Sequence, residues 1–152
     1  MTSAEMCGAC NTVAGRTTPP GGVIYQNEHW LVTHAFDPAP LRGLLLVTAK
    51  RHVGDLADLT LSEHATLSEA LGRTAKALRD VTAPERIYAG SLGETNAHVA
   101  WQLIPRSAGM PSEAALLLEL GLGRWGCTDE DAADVANRVR VAITKGTWSM
   151  IA

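Results

Sequence analysis

The sequence predicts an α+β domain built on a mainly antiparallel sheet of five strands. Three observations point to it: five short runs of β-type residues, a long helical stripe between the third and fourth of them, and a C-terminal stretch that reads as two helices. At 152 residues the chain is one domain long, enough to bury about two-thirds of its unfolded surface around its own core.

Residues 11–22 (NTVAGRTTPPGG) are rich in Gly, Pro and Thr without an apolar period and read as a loop. Residues 23–26 and 29–34 are β-type runs around Asn27-Glu28, a hairpin whose turn chemistry is weaker than Asn-Gly. A turn-rich break over 37–43 leads into the continuous apolar run 44–47, suited to a central strand. The helix expected over 60–81 opens on Thr60-Leu-Ser-Glu63, a capping box in which Thr and Glu each satisfy an orphan amide. Leu67, Leu71, Ala75 and Leu78 form its apolar stripe, and Pro84 closes it. Two further strands follow at 86–90 and 98–104, with Pro105 removing the amide that would continue the second. A helix is expected over 111–120 and another after Thr128, whose first turn carries Asp129, Glu130 and Asp131, where the helix dipole favours anions. The chain divides into an N-terminal segment 1–22, a core 23–106 and a helical extension 107–152.

Composition narrows the function classes. No apolar run approaches the roughly 20 residues that span a bilayer, and the N-terminus lacks the basic flank and apolar stretch of a secretory signal. A cytoplasmic protein with no membrane partner is expected. The formal charge of −3 and the lack of a basic block interleaved with aromatics argue against nucleic acid as a partner. Three cysteines are too few for a disulfide scaffold, so Cys7-Gly-Ala-Cys10 reads as a metal knuckle or a redox pair.

Strand alternation places His98, Ala100, Gln102 and Ile104 on one face and Val99, Trp101 and Leu103 on the other. One face is apolar and the other carries functional groups, or simply meets solvent. A CxxC knuckle supplies two thiolates, and two imidazoles complete the tetrahedral set zinc prefers. His29, His34, His52, His64 and His98 are all candidates, and composition alone does not choose the pair.

Three stretches carry a resemblance: Ile24-Tyr-Gln-Asn-Glu-His-Trp-Leu-Val, Gly43-Leu-Leu-Leu-Val-Thr-Ala-Lys-Arg-His-Val and His98-Val-Ala-Trp-Gln-Leu-Ile-Pro-Arg106. Together they resemble the histidine triad (HIT) superfamily over residues 7–106. That family's signature is His-φ-His-φ-His-φ-φ, with Gln in third place in the galactose-1-phosphate uridylyltransferase branch. Here His98 and Gln102 hold the first and third places, and Ala100 holds the second. The resemblance implies a HIT-like fold, a homodimer, and a structural zinc on Cys7, Cys10, His52 and His98. It implies a nucleotide or phosphate-ester ligand, with Asn27 and Trp30 bordering base and ribose, Thr95 and Asn96 offering donors to phosphate, Gln102 bonding a phosphate oxygen and Arg106 pairing with phosphate. A redox CxxC would open a helix after a strand, whereas this one precedes a Gly/Pro-rich loop.

In the family the central histidine attacks the α-phosphorus and forms a nucleotidyl-histidine, the basis of its nucleotidyl hydrolase and transferase activities. Ala100 has no lone pair, and Gln102 is a poor nucleophile. Three readings stay open: an introduced substitution of a catalytic histidine, a natural ligand-binding module, or a different reaction in the same pocket. Gly43 is followed by Leu44 where the family often has Gly-His. The tail with Trp125, Cys127 and Trp148 carries no correspondence, and Cys127 reads as a small buried hydrophobe.

Overall fold

A computed structural model describes residues 7–36, 41–92 and 96–146. Its elements run α1 (Gly8–Val13), β1 (Val23–Gln26), β2 (Trp30–His34), β3 (Leu45–Ala49), a 3-10 turn (Leu56–Asp58), α2 (Leu61–Thr82), β4 (Arg86–Gly90), β5 (Ala100–Arg106), α3 (Glu113–Gly121) and α4 (Asp129–Lys145). The five strands form one sheet in the order β1-β2-β3-β5-β4, every neighbouring pair antiparallel. The α+β class and the five-stranded antiparallel sheet are as the sequence predicts.

The capping box expected at Thr60 is present, and the structure adds a second at the start of α4. Thr60 Oγ1 accepts from the Glu63 amide while the Glu63 carboxylate accepts from the Thr60 amide, and Thr128 and Asp131 repeat the arrangement on α4. The α2 helix ends at Ala83 in the left-handed conformation (φ 45°), one residue before Pro84. Its buried face, Leu67, Ala70, Thr74, Ala77 and Leu78, packs on the sheet face made by Trp30, Val32, Leu45, Val47, Ala49, Val99 and Leu103.

Several boundaries depart from expectation, among them β3, which runs on to Ala49 rather than ending at 47. Residues 11–13 belong to α1 rather than to a loop, so the cysteine knuckle opens a short helical stretch. His29 lies before β2, and β5 begins at Ala100 and runs through Pro105 to Arg106. Pro105 is tolerated because the β3–β5 pairing ends at Leu45 and Leu103, leaving it opposite Ile87 of the edge strand β4.

The tail is part of the core. Val135, Ala136 and Val139 of α4 are fully buried beside α2 and β1 in the main cluster. Gly21, at φ 73°, lets the loop before β1 lie against α4; a Cβ there would stand 2.6 Å from the Ala136 Cβ. Arg140 clasps this loop, its guanidinium donating to the carbonyls of Gly21 and Val23. A second cluster of Leu41, Ile104, Met110 and Leu116 lies at the Ile104 end of the opposite sheet face, and α3 contributes Leu116 to it.

Candidate metal centre and functional face

Cys7 N-caps α1 and Cys10 follows one turn on, a three-residue spacing that turns both side chains to one side of the helix. His52 lies three residues beyond the end of β3, and His98 two residues before β5. The adjacent ends of β3 and β5 are tied by Ala49 N–H to Val99 O (3.0 Å) and Val99 N–H to Val53 O (2.7 Å), which brings the two histidines together. Their rings meet edge to face with centroids 5.3 Å apart.

The four ligand atoms lie within 4.8 Å of one another. Cys7 Sγ is 3.4 Å from His98 Nδ1, Cys10 Sγ 3.2 Å from His52 Nδ1, and Cys10 Sγ 3.5 Å from His98 Nδ1. In a tetrahedral site with metal–sulfur bonds near 2.3 Å and metal–nitrogen bonds near 2.0 Å, the sulfur–nitrogen edge is about 3.5 Å. Three of the four sulfur–nitrogen edges therefore already have about the length that a two-sulfur, two-nitrogen tetrahedron requires.

The imidazole of His98 is held for ligation. Its Nε2–H donates to the Ala49 carbonyl at 2.7 Å, which leaves the Nδ1 lone pair facing the sulfurs. Burial pushes its pKa below the ordinary imidazole value, against the Ala49 bond and with the charge of His52, so the neutral form a metal needs is favoured. Burial raises the Cys10 thiol, and its contact with Cys7 adds to the rise. Two thiolates side by side need a cation between them.

The other histidines are placed elsewhere. His34 is fully enclosed, its Nδ1–H donating to Ala35 O (2.6 Å) and its Nε2 accepting from Gly43 N–H (2.9 Å). His29 bonds Ser62 Oγ through Nε2 (2.8 Å), and His64 is exposed on α2.

On the sheet face away from α2, Ala100 lies opposite Thr48, and Gln102 between Leu46 and Gly90. Both Ala100 and Gln102 are half-buried, and Gly90 presents no side chain over the Gln102 amide. Trp101 points to the helix side and packs on the main core.

The residues expected around a ligand are not all brought to this face. Trp30 is completely buried and its indole N–H donates to the Glu63 carbonyl (2.9 Å), so its ring belongs to the core. Asn27 caps the hairpin, with Oδ1 accepting from the His29 and Trp30 amides and Nδ2 donating to Thr66 O. Arg106 is ion-paired to Glu85 at 2.6 Å, six residues or about 20 Å of strand from Ala100. Asn96 stands against Cys7 Sγ at 3.4 Å rather than over the sheet face. Thr95 and Trp148 lie outside the described residues. Cys127 is half-buried beside α4, its thiol raised by burial and by Asp131.

Among solved structures the chain resembles a zinc-bound histidine triad family protein from Mycobacterium smegmatis, at 21% identity and TM-score 0.71, covering 93% of this chain and 96% of that one. It also resembles a HIT-like protein involved in cell-cycle regulation from Bartonella henselae, solved with an unknown ligand, at 17% identity and TM-score 0.70, covering 91% and 97%. A third is a hypothetical histidine triad nucleotide-binding protein from Sulfolobus tokodaii, at 16% identity and TM-score 0.71, covering 91% and 92%. No protein-family model matches the chain, and no curated protein matches it significantly. The chain thus has the histidine triad fold. No helix among the described residues is long and apolar enough to cross a membrane.

Proposed function

We propose that this chain is a HIT-like nucleotide- or phosphate-ester-binding protein with a structural zinc on Cys7, Cys10, His52 and His98. The observation that carries the reading is the juxtaposition at the start of β5. His98, turned to the thiols, is followed on the exposed sheet face by Ala100 and then Gln102, whose amide makes no hydrogen bond among the described residues. Zinc suits the donor set because two thiolates and two imidazoles in a closed tetrahedron are its ordinary structural site. When bound, it supplies cohesion between the N-terminal knuckle and the ends of β3 and β5, and no open coordination position for chemistry.

On the ligand face, Gln102 would donate its amide N–H to a phosphate oxygen, as in the uridylyltransferase branch of the family. A ligand phosphate over Ala100 would meet a methyl group where the family has its nucleophile. The chain as written is therefore a binding module, or an enzyme that does not use a nucleotidyl-histidine. If Ala100 stands for a histidine, the parent is a nucleotidyl hydrolase or transferase. Its imidazole would attack the α-phosphorus, the leaving group would depart with the P–O bonding pair, and water or another acceptor would then take the nucleotidyl group. A homodimer is the assembly the resemblance implies, and the outer edge of β4, which pairs with no further strand among the described residues, is a surface able to carry it.

The test is mass spectrometry of the protein and its Ala100→His variant after incubation with nucleoside phosphoramidates, dinucleoside polyphosphates and nucleotide sugars, with calorimetric titration of the same panel. Binding by both, and a nucleotidyl adduct or mononucleotide release only with Ala100→His, is the expected result. Absence of binding by either overturns the reading.

A further inference from the structure

We infer that Asn96 is a positioning residue of the metal centre, its side-chain amide donating a hydrogen bond to the Cys7 thiolate when metal is bound. This rests on the metal reading above and assigns Asn96 a role other than phosphate contact. Asn96 is joined to two ligands that lie 91 residues apart in sequence. Its carbonyl accepts from the His98 amide at 2.7 Å, and its side chain meets Cys7 Sγ at 3.4 Å across 89 residues of sequence. Cys7 is buried, and although it caps α1 its sulfur takes no hydrogen bond from the helix amides. Among the described residues outside the ligand set, Asn96 is the side chain whose polar atom reaches that sulfur.

The chemistry then sets the direction of the bond. A protonated Cys7 donates its S–H to Asn96 Oδ1, the contact seen in the structure. A cysteine bound to metal has given up that proton, and an amide oxygen facing a thiolate is two acceptors face to face. A half-turn about the Asn96 Cβ–Cγ bond exchanges Oδ1 for Nδ2–H and makes the contact a charge-assisted bond. One residue thereby accommodates both states of Cys7, and in the metal-bound state it fixes the direction of the sulfur lone pairs. Partners of this kind are worth about 10- to 100-fold in metal affinity. Asn96 is solvent-exposed, so water competes and the lower end of that range applies.

The experiment compares wild type, Asn96→Ala and Asn96→Asp, all full-length. Zinc affinity is read by competition with a chromophoric chelator, and the sulfur-to-metal charge-transfer band is read after loading with cobalt(II). Circular dichroism of the metal-free proteins serves as the folding check. The expected result is about a tenfold loss for Asn96→Ala and a larger loss for Asn96→Asp, whose carboxylate faces the thiolate as a second anion. Both variants should shift the charge-transfer band to lower energy, because a thiolate without its donor holds its electrons less tightly. Affinity in Asn96→Asp equal to or above that of Asn96→Ala, or no change in either variant, overturns the inference while leaving the metal reading in place. A wild type that takes up no metal overturns both.

Discussion

Replacing Glu63 by Gln tests how the start of α2 is anchored. The Glu63 side chain is 6% exposed. Its carboxylate accepts Arg51 Nε and Nη2 in a fork at 2.9 and 2.8 Å and the Thr60 amide at 2.7 Å. The Arg51 guanidinium first, and then the Thr60 groups, hold its pKa down to about 2 from 4.5, against the opposing effect of burial. A depressed carboxylate stabilises the fold above its unfolded value, and that stability is lost as pH falls from 4.5 through about 2. The full shift corresponds to at most about 3 kcal/mol at neutral pH. Arg51 is half exposed and therefore screened by water and salt, which brings the expected loss in Glu63→Gln to about 2 kcal/mol. Gln keeps an oxygen for the Thr60 amide, so the helix cap survives and the charge is what is removed. Urea unfolding of both proteins at pH 7 should give that difference, or about 6 °C in Tm, shrinking to less than half at pH 3. The Trp30 indole bonds the Glu63 main-chain carbonyl, so native tryptophan fluorescence should not move. A difference under about 0.5 kcal/mol at pH 7, or one independent of pH down to 3, refutes the argument.

Three further outcomes are expected. Gly21→Ala should cost about 2–3 kcal/mol in urea unfolding, since the new Cβ meets Ala136 in a left-handed backbone position; a neutral effect would contradict the packing of the loop on α4. His34 is held neutral by burial, so its folded pKa lies below 6.5 and its contribution is present above that value and lost as pH falls below it; an imidazole that titrates normally in NMR would contradict its enclosed position. Chelation should loosen residues 7–13 and 96–98 in hydrogen exchange while the sheet stays protected, because the main core cluster contains none of the four ligands; wholesale unfolding would mean that the metal centre supports the core directly.

Much of this architecture is legible in local pattern. The capping box at Thr60 marks one helix start to the residue, because a cap is a contact three residues long, and the acidic turn after Thr128 marks another. Alternation along β5 separates Ala100 and Gln102 from Trp101 and Leu103 because side-chain direction follows from the pleat alone. The ligand set, by contrast, follows only from the family resemblance, since nothing local tells His98 from His34. What distinguishes them is tertiary: His34 spends both ring nitrogens on Ala35 and Gly43, whereas His98 spends one on Ala49.

The same limit explains Trp30, Asn27 and Arg106. Each has a side chain able to touch a ligand, and each is engaged by a group more than twenty residues from it in sequence or, for Asn27, also by its own turn. Asn96 pairs with Cys7 across 89 residues, which no periodicity reports. The α4 helix is different, for Ala132, Val135, Ala136 and Val139 recur at helical spacing, and that period by itself marks a buried face. The stripe is the local signal that the tail completes the core.

X-ray absorption at the metal edge of the purified protein tests the central claim most directly. One equivalent of zinc per chain, with two sulfur neighbours near 2.3 Å and two nitrogen neighbours near 2.0 Å, is the result the geometry of Cys7, Cys10, His52 and His98 predicts. A protein that binds no zinc when reconstituted under reducing conditions, or a bound metal with no sulfur in its shell, would contradict it.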